Sequence, residues 1–227
     1  MSDFSRTHLK FSRGRCDDRP VFYEPRAGHG LPHNPFNAIV LPRPIGWIST
    51  LDADGQVNLA PFSFFNAVAY TPPQVMFATT GPHDEGGHKD SMRNALARGE
   101  FVVNLATYAL REAVNLTSTP APRGVDELGL AGLTAVPSRL VAPPRVAESP
   151  VQLECRVVTS VELPTPDPAD PNTVVFGEVV GVHIADEVIV DGLVDVGLLR
   201  PIGRLGYREY VDVTESFAMT RPGWPID

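Results

Sequence analysis

Short hydrophobic runs, separated by turn-forming residues, dominate the chain from residue 37 onward. GWISTLD and ADGQVNLAPF flank Ala53-Asp54-Gly55, and Asp-Gly between two apolar runs predicts a hairpin. Further strands are predicted over QVMFATT, EFVVNLAT, the alternating VQLECRVVTSVEL, TVVFGEVVGVHIAD and EVIVDGLVD. The segment that begins RPIGRLGY is predicted to be irregular. The pattern as a whole therefore predicts a mainly β domain built from many short strands.

Helices are predicted at only three places. KDSMRNALARGE puts Met92, Ala95 and Leu96 on one face, and a glycine follows as the stop. ALREAVNLTS and VDELGLAGLTA predict two short helices, and the acids Asp126 and Glu127 in the latter are interpreted as surface charge. Because regular strand–helix alternation is missing, a barrel or sandwich with a few flanking helices is favoured over a doubly wound sheet.

Composition shifts suggest where the domain begins and ends. Residues 1–35 lack sustained periodicity and are rich in Arg, His, Gly and Pro, which indicates an extended arm, with a disordered tail as the alternative for residues 1–19. We place the folded domain at residues 36–222 and a short tail at residues 223–227. The N-terminus has no apolar signal region, and no uncharged run approaches the roughly 20 residues that span a bilayer. We therefore expect a cytoplasmic protein without membrane association.

Charge and motif content exclude several function classes. A net charge of −8 argues against nucleic-acid binding, which requires clustered Lys and Arg. Cys16 and Cys155 are far apart and give no disulfide framework. His29 and His33 lack a third ligand at useful spacing, and His83 and His88 lie five residues apart in a Gly-rich loop, so no metal site is predicted. Neither GxGxxG after a strand nor GxSxG is present, so neither a Rossmann dinucleotide site nor a serine nucleophile is indicated.

Polar side chains interrupt an otherwise apolar stretch at Asn58, Ser63 and Asn66. A planar heteroaromatic ligand needs flat apolar walls and a few placed hydrogen-bonding groups. Ala60 would let such a ring approach the backbone, Phe64 would supply a wall, and the Ser and Asn side chains would reach the ring edge. The alternative is a core strand whose polar side chains bond to neighbouring backbone.

The start of the first predicted helix is a candidate phosphate site. Free N–H groups and the positive end of the dipole face outward at a helix N-terminus, and Lys89 and Ser91 add a charge and a hydroxyl there. Asp90 suits a phosphate less well and is expected, with Ser91 as the other candidate, to cap the helix. The alternative is a capped and solvated helix end.

RPIGWIST is the third segment with candidate binding groups. Trp47 is large and amphipathic, Ser49 and Thr50 could reach a phosphate or a ring edge, and Arg43 could pair with an anion. The alternative is a Trp that packs in the core and an Arg on the surface.

These segments occur in a recognisable order: RPIGWIST, NLAPFSFFN, TPPQVMFATTG, KDS and EFVVNL. On them the chain resembles the flavin reductase-like family with the FMN-binding split β-barrel, and the likeness continues through VDELGLAGLTA, PRVAESPVQLEC, FGEVVGVHIAD and RLGYREY. The resemblance covers about residues 20–222. It implies a six-stranded antiparallel barrel of Greek-key type with helices at its side, and a homodimer with FMN near the subunit interface.

The resemblance also implies a cofactor site. The residues it assigns to FMN are Arg43, Trp47, Ser49, Thr50, Ala60, Ser63, Phe64, Asn66, Lys89, Asp90 and Ser91. Lys89 and Ser91 would hold the phosphate, and polar residues of the 63–66 stretch would face the isoalloxazine ring. No catalytic side chain is implied, because the flavin carries the chemistry and NADH or NADPH would be the transient hydride donor.

The implied function is a flavin reductase or the reductase component of a two-part monooxygenase system. Related short-chain reductases often carry Gly-Asp-His before the strand that corresponds to VVFGEVV, where this chain has ADPNT with Asn172. Long members commonly have Gly-Gly where this chain has Gly206 and Tyr207. The missing His favours an alternative, a non-enzymatic FMN-binding or electron-transfer protein on the same fold. A third hypothesis is a barrel that has lost flavin and serves as an interaction module.

Overall fold

The structure is a computed structural model that describes residues 21–224. The chain divides into two units, Met1–Phe36 and Asn37–Asp227. Most of the predicted arm, residues 1–35, and the last three residues of the predicted tail therefore lie outside the described residues.

The described part of the first unit contains one turn. A 3-10 helix spans Pro25–Ala27, and Gly28 ends it with a φ of 88°. The rings of Tyr23 and His29 meet edge to face, with centroids 6.0 Å apart.

Residues 37–224 hold the strands and α-helices of the described chain. The strands are β1 Arg43–Pro44, β2 Gly46–Leu51, β3 Val57–Phe62, β4 Phe65–Tyr70, β5 Pro73–Thr80, β6 Glu100–Leu105, β7 Ala135–Val136, β8 Arg145–Val146, β9 Val151–Leu163, β10 Asn172–Ile184, β11 Ile189–Val190, β12 Leu193–Val194, β13 Ile202–Arg204 and β14 Tyr210–Asp212. The helices are α1 Asp90–Arg98, α2 Arg111–Leu116, α3 Glu127–Leu130 and α4 Val196–Leu199. None of the helices within residues 21–224 has the length and apolar character needed to cross a membrane.

The main sheet is a closed barrel. Its seven strands are hydrogen-bonded in the order β3-β2-β6-β9-β10-β5-β4, so β3 and β4 occupy opposite edges. Only Ser63 and Phe64 separate these two strands in sequence. Two residues can join the edges of a sheet only if the sheet curls until the edges meet. The bond from the Ala78 N–H to the Phe64 carbonyl, 2.8 Å long, extends the β4–β5 ladder into this junction.

The strands β3 and β4 together act as one bent strand, so the barrel wall consists of six strands. The consecutive strands β5 and β6 do not pair, because β10 and β9 lie between them. Their connection carries α1, which packs against β2, β3 and β6. The predicted mainly β split barrel with flanking helices is therefore confirmed, as are the hairpin of β2 and β3 and the three predicted helices, which are α1, α2 and α3.

The barrel interior is filled by one hydrophobic cluster. Ile48, Phe77 and Phe101 are fully buried in it, and the two Phe rings meet edge to face at 5.2 Å. Helix α1 contributes Met92 and Ala95, as the sequence predicts. Leu96, which is predicted to lie on the same face, is 38% exposed because it lies at the edge of the buried face of α1.

A second cluster covers the outer face of β2. Trp47 is fully buried there with Leu59, Val114 and Leu128, which brings α2 and α3 against the sheet. Alternate residues of a strand face opposite sides, so Trp47 and its neighbour Ile48 belong to different clusters. Strand β2 is thus buried on both faces.

Two segments differ from the sequence prediction. EVIVDGLVD, predicted as a strand, is a short hairpin in which Asp191 and Gly192 connect β11 and β12 with φ values of 51° and 79°. Two successive positive φ values give the tight turn that hairpins favour. The segment after residue 200, predicted as irregular, contributes β13 and β14 to a three-stranded sheet with β1. That pairing is long-range, so local pattern does not reveal it.

The close approach of Gly177 to Phe101 gives a stability prediction. A Cβ on Gly177 would lie 2.5 Å from the Phe101 ring, which is fully buried. We expect Gly177→Ala to lower the free energy of unfolding by about 1–3 kcal/mol, because the ring must move within a packed core. Gly181→Ala on the same strand is the control, since its Cβ finds no atom closer than 3.4 Å. Urea unfolding measures both, and equal stability of the two variants would contradict the packing described.

Candidate functional site

A cavity of about 180 Å³ lies where β3 meets the start of α1. Its lining consists of Asn58, residues 60–62, 82–84, 89–91 and 117–121, and Glu127. Four of the residues that the family resemblance assigns to FMN are among them: Ala60, Lys89, Asp90 and Ser91.

The start of α1 forms one wall of the cavity and has no side-chain cap. Lys89 occupies the N-cap position, so the prediction that Asp90 or Ser91 caps the helix is wrong. The Asp90 carboxylate binds arginine side chains and the Ser91 hydroxyl binds another strand, so neither turns back to the helix backbone. The first turn therefore keeps the positive end of its dipole uncompensated by a cap. The Lys89 ammonium has no hydrogen-bond or ion-pair partner within residues 21–224.

The Asp90 carboxylate anchors a loop beside the cavity. It binds Arg93 at 2.9 Å and also Arg123, and His83 Nε2 lies 3.6 Å away. Arg123 further donates to the carbonyls of Gly86 at 2.6 Å and His88 at 3.1 Å. The charge of Asp90 is thus balanced by two guanidinium groups, and Arg123 fixes the 83–88 loop against α1.

Asn58 is the centre of a buried polar network behind the cavity. Its amide Nδ2 donates to both Glu127 carboxylate oxygens, at 3.0 and 3.1 Å. Its Oδ1 accepts from the hydroxyls of Ser91 at 2.7 Å and Thr50 at 3.3 Å, and Thr50 in turn accepts from Asn94 at 3.2 Å. All five residues are buried. The amide in the apolar stretch therefore ties β3 to β2, α1 and α3.

Glu127 is buried, and its interpretation as surface charge is wrong. It is 8% exposed and lines the cavity, and it accepts a third bond from the Leu59 N–H at 3.0 Å. Burial raises the pKa of Glu127, although the hydrogen bonds from Leu59 and Asn58 oppose that effect. Asp126, the adjacent acid, caps α3 through a bond from the Gly129 N–H at 3.0 Å.

The three predicted residues of β2 lie behind the cavity, and their side chains bind other parts of the protein. Trp47 Nε1 donates to Thr117 Oγ1 at 2.9 Å, and the Ser49 hydroxyl donates to the Pro144 carbonyl at 2.6 Å. Thr50 belongs to the Asn58 network, and the side chains of all three β2 residues are fully buried. Of these partners, Thr117 lines the cavity, so Trp47 supports one wall from behind.

Arg43, Ser63 and Phe64 form a separate group at the bend between β3 and β4. The Arg43 guanidinium donates at 2.6 Å to each of two carbonyls, lies 3.5 Å from Ser63 Oγ and 5.9 Å from the centre of the Phe64 ring. At 8% exposure it is buried rather than on the surface. Asn66 is exposed on β4, and its Oδ1 accepts from the Ala67 N–H at 2.9 Å. None of the four residues lines the cavity at α1.

For several residues in and beside the cavity, the sequence pattern did not indicate a place in the site. Glu127 follows Asp126, whose cap on α3 is the kind of pattern that could have placed both acids at a helix start. Thr117 lies at the end of α2, within the helix predicted over ALREAVNLTS, and Arg123 lies in an irregular segment outside the cavity lining. Long-range contacts give both residues their roles. Within residues 21–224, no three His, Cys, Asp or Glu side chains are grouped closely enough to hold a metal ion.

Comparison with known sequences gives a family match over most of the folded unit. The sequence model described as "Flavin reductase like domain" matches residues 38–197. An uncharacterised protein of Halalkalibacterium halodurans is 39% identical over 183 residues, which cover 81% of this chain and 87% of that protein.

Two solved structures share the fold, and each is identical to this chain at more than a quarter of the aligned residues. Nitrilotriacetate monooxygenase component B from Bacillus cereus aligns with a TM-score of 0.78 and 28% identity, covering 92% of this chain and 100% of that one. The 2-nitrobenzoate 2-nitroreductase of Pseudomonas fluorescens aligns with a TM-score of 0.71 and 29% identity, covering 83% and 89%.

The raised pKa of Glu127 gives a pH prediction. Between the unfolded and the folded pKa, the folded state holds more protons, so stability falls as the pH rises through that window. Glu127→Gln removes this titration. We therefore expect the stability of the wild type relative to Glu127→Gln, measured by urea unfolding, to fall as the pH rises above about 4.3, the pKa of an unperturbed glutamate.

The variant Glu112→Gln is the control for that experiment, because the Glu112 side chain is 83% exposed. Its stability relative to the wild type should change little over the same pH range. If the free energy of unfolding of the wild type, relative to that of Glu127→Gln, stayed constant or rose with pH, this would contradict a pKa of Glu127 raised by burial.

Proposed function

Because the chain belongs to the flavin reductase-like family, we propose that it is an FMN-binding oxidoreductase whose cavity at α1 holds the cofactor phosphate. The observation that carries the proposal is the pairing of an unpartnered Lys89 with an uncapped helix start on one cavity wall. Backbone N–H groups at a helix N-terminus, the dipole and a lysine together are suited to a phosphate.

The charges around the cavity fit a phosphate. Of the three acids in the lining, Asp84 is exposed, and Asp90 is balanced by Arg93 and Arg123. Glu127 has both oxygens engaged by N–H donors, and burial raises its pKa. Lys89 is therefore the charge in this wall that is left to a ligand. Asp90 would contribute its backbone N–H to the phosphate rather than its carboxylate.

The volume indicates which part of FMN the cavity takes. At about 180 Å³ it is smaller than the roughly 300 Å³ at which small-molecule pockets usually begin. It suits the phosphate and part of the ribityl chain, with Ala60 as the small residue beside them. The flavin ring would then extend out of the cavity. Contacts of the ring with Ser63, Phe64 and Asn66 are part of the proposal. Arg43 would hold the bend on which these residues lie.

In this proposal the protein positions the cofactor and supplies no acid or base. FMN supplies the redox chemistry when bound. The Ser91 hydroxyl, which now donates to Asn58 Oδ1, can turn toward the phosphate. Asn58 Oδ1 would then still accept a hydrogen bond from the Thr50 hydroxyl. Trp47, Ser49 and Thr50 hold the β2 framework behind the cavity through their internal bonds.

A homodimer is part of the proposal, because a ring outside the cavity needs a cover. Strand β4 is exposed from Asn66 to its end, with Tyr70 92% and Val68 46% exposed. The outer half of β9 exposes Val158 and Leu163 as well. Contiguous exposed apolar side chains mark interaction surfaces. The free, buried thiol of Cys155 accords with a reducing, cytoplasmic location, which is likewise proposed.

NADH or NADPH is the proposed donor, and a monooxygenase is the proposed partner for the reduced flavin. The solved neighbour named as a monooxygenase component supports this assignment. The competing function is an FMN-binding electron-transfer protein without nicotinamide turnover. It is favoured by Asn172, which stands at the start of β10 where the related short-chain reductases carry a His, and which pairs there with Thr80 and Leu163.

Replacing Lys89 tests the phosphate assignment. We expect Lys89→Gln to weaken FMN binding about tenfold or more, because a charge-assisted contact is lost, and to leave riboflavin binding within about twofold. Fluorescence titration with both ligands measures this. Arg208→Gln, which removes an exposed charge elsewhere, is the control. An equal loss for FMN and riboflavin, or no loss for either, would contradict the assignment.

Anaerobic absorption spectra distinguish the two functions. The reductase predicts that NADH or NADPH bleaches the flavin bands of the FMN-loaded protein, and that free flavin sustains nicotinamide oxidation. The electron-transfer alternative predicts bound FMN that dithionite reduces and neither nucleotide does. Protein that binds no FMN at all would contradict both.

A further inference from the structure

A second, larger cleft lies at the other side of the sheet, between the first residues of β9, the last residues of β10 and the 139–150 segment. Its volume is about 720 Å³, and it shares no lining residue with the cavity at α1. A bulge between Val179 and Gly181 interrupts the β9–β10 ladder beside it. Bulges concentrate near functional sites, where they redirect side chains.

A fully buried carboxylate forms the base of this cleft. Glu154 Oε1 accepts from the Arg139 N–H at 2.8 Å and from His183 Nε2 at 2.6 Å, and Oε2 accepts from the Leu140 N–H at 2.6 Å. Burial opposes ionisation, but these hydrogen bonds hold the pKa of Glu154 below its usual value. Gly181 lies opposite Glu154 in the ladder, and the Glu154 and Leu140 side chains pack beside it.

The ionised Glu154 fixes the orientation of His183. A nitrogen 2.6 Å from a carboxylate must carry a proton and donate it, so Nε2 is committed inward. The other ring nitrogen, Nδ1, has no partner within residues 21–224. His183 lines the cleft and its side chain is 18% exposed, so the ring lies where it can report on a molecule bound there.

Two arginines complete a positive lining. Arg145 is held by the Pro137 carbonyl and Gln152 Oε1, each at 3.1 Å, which occupies only part of its five N–H donors. The Arg139 side chain is exposed and has no partner within the described residues. Two guanidinium groups in one cleft stand out in a chain of net charge −8. Leu140 and Val182 add apolar surface beside them.

We propose that this cleft binds a small organic oxyanion, a carboxylate or phosphate group on an apolar body, through Arg139 and Arg145, with His183 beside the bound group. Arginine matches the planar geometry of such groups, and Glu154 aligns the imidazole without meeting the ligand. The site is separate from the proposed cofactor cavity, so it is independent of the FMN assignment.

Histidine ring NMR on the full-length protein tests the proposal. The His183 signal, one of six, is the signal that disappears in His183→Gln. Benzoate supplies a carboxylate on an apolar body, benzamide is its neutral counterpart, and inorganic phosphate supplies the other oxyanion. We expect saturable shifts of the His183 signal with benzoate or phosphate and none with benzamide, and the oxyanion that binds more tightly identifies the preferred group.

The arginine variants decide whether the shift reports this cleft. Arg139→Gln, whose side chain has no structural partner, and Arg145→Gln should each weaken binding about fivefold or more. Arg208→Gln and Lys89→Gln should leave it unchanged, the latter because Lys89 belongs to the other cavity. Failure of both benzoate and phosphate to shift His183, or an unchanged affinity in both cleft arginine variants, would overturn the proposal.

Discussion

The hydrogen bonds of one buried amide hold the proposed cofactor site together. Asn58 joins Glu127, Ser91 and Thr50, so a single side chain fixes the start of α1 and the α3 carboxylate to β3. Each bond contributes about 1 kcal/mol net, but losing the amide would leave a buried carboxylate and hydroxyl short of partners, which costs more. The cavity beside α1 exists because this network sets the distance between the helix and the strand.

The same constraint decides how charge is distributed around the two clefts. Beside α1, the acids are committed to internal donors and Lys89 is left uncommitted. Beside β9 and β10, Glu154 is committed to His183 and two backbone N–H groups, and the arginines are left for a ligand. In each place a buried carboxylate organises its surroundings, while the cations beside it are half-buried or exposed. Buried charges must be paired, so the polar interior is as specific as the hydrophobic core.

Local pattern was enough to predict the elements whose own residues determine them. The Asp54-Gly55 hairpin, the Met92 and Ala95 face of α1 and the alternating β9 all follow from turn chemistry or periodicity. Long-range contacts determine the rest. Nothing in the sequence around Glu127 shows that this residue will be buried against Asn58, which lies 69 residues earlier. Nor does the sequence show that Arg123 will bind the Asp90 carboxylate, which therefore does not cap α1. The start of α1 and β3 line one cavity, whereas the side chains of Trp47, Ser49 and Thr50 bind internal partners.

A crystal structure of the protein with FMN bound would show whether the cavity at α1 holds the phosphate. We expect the phosphate within hydrogen-bonding distance of Lys89 Nζ and the first backbone N–H groups of α1, with Glu127 still bound to Asn58. A phosphate bound elsewhere on the barrel, with the α1 cavity filled by water or by the chain itself, would contradict it.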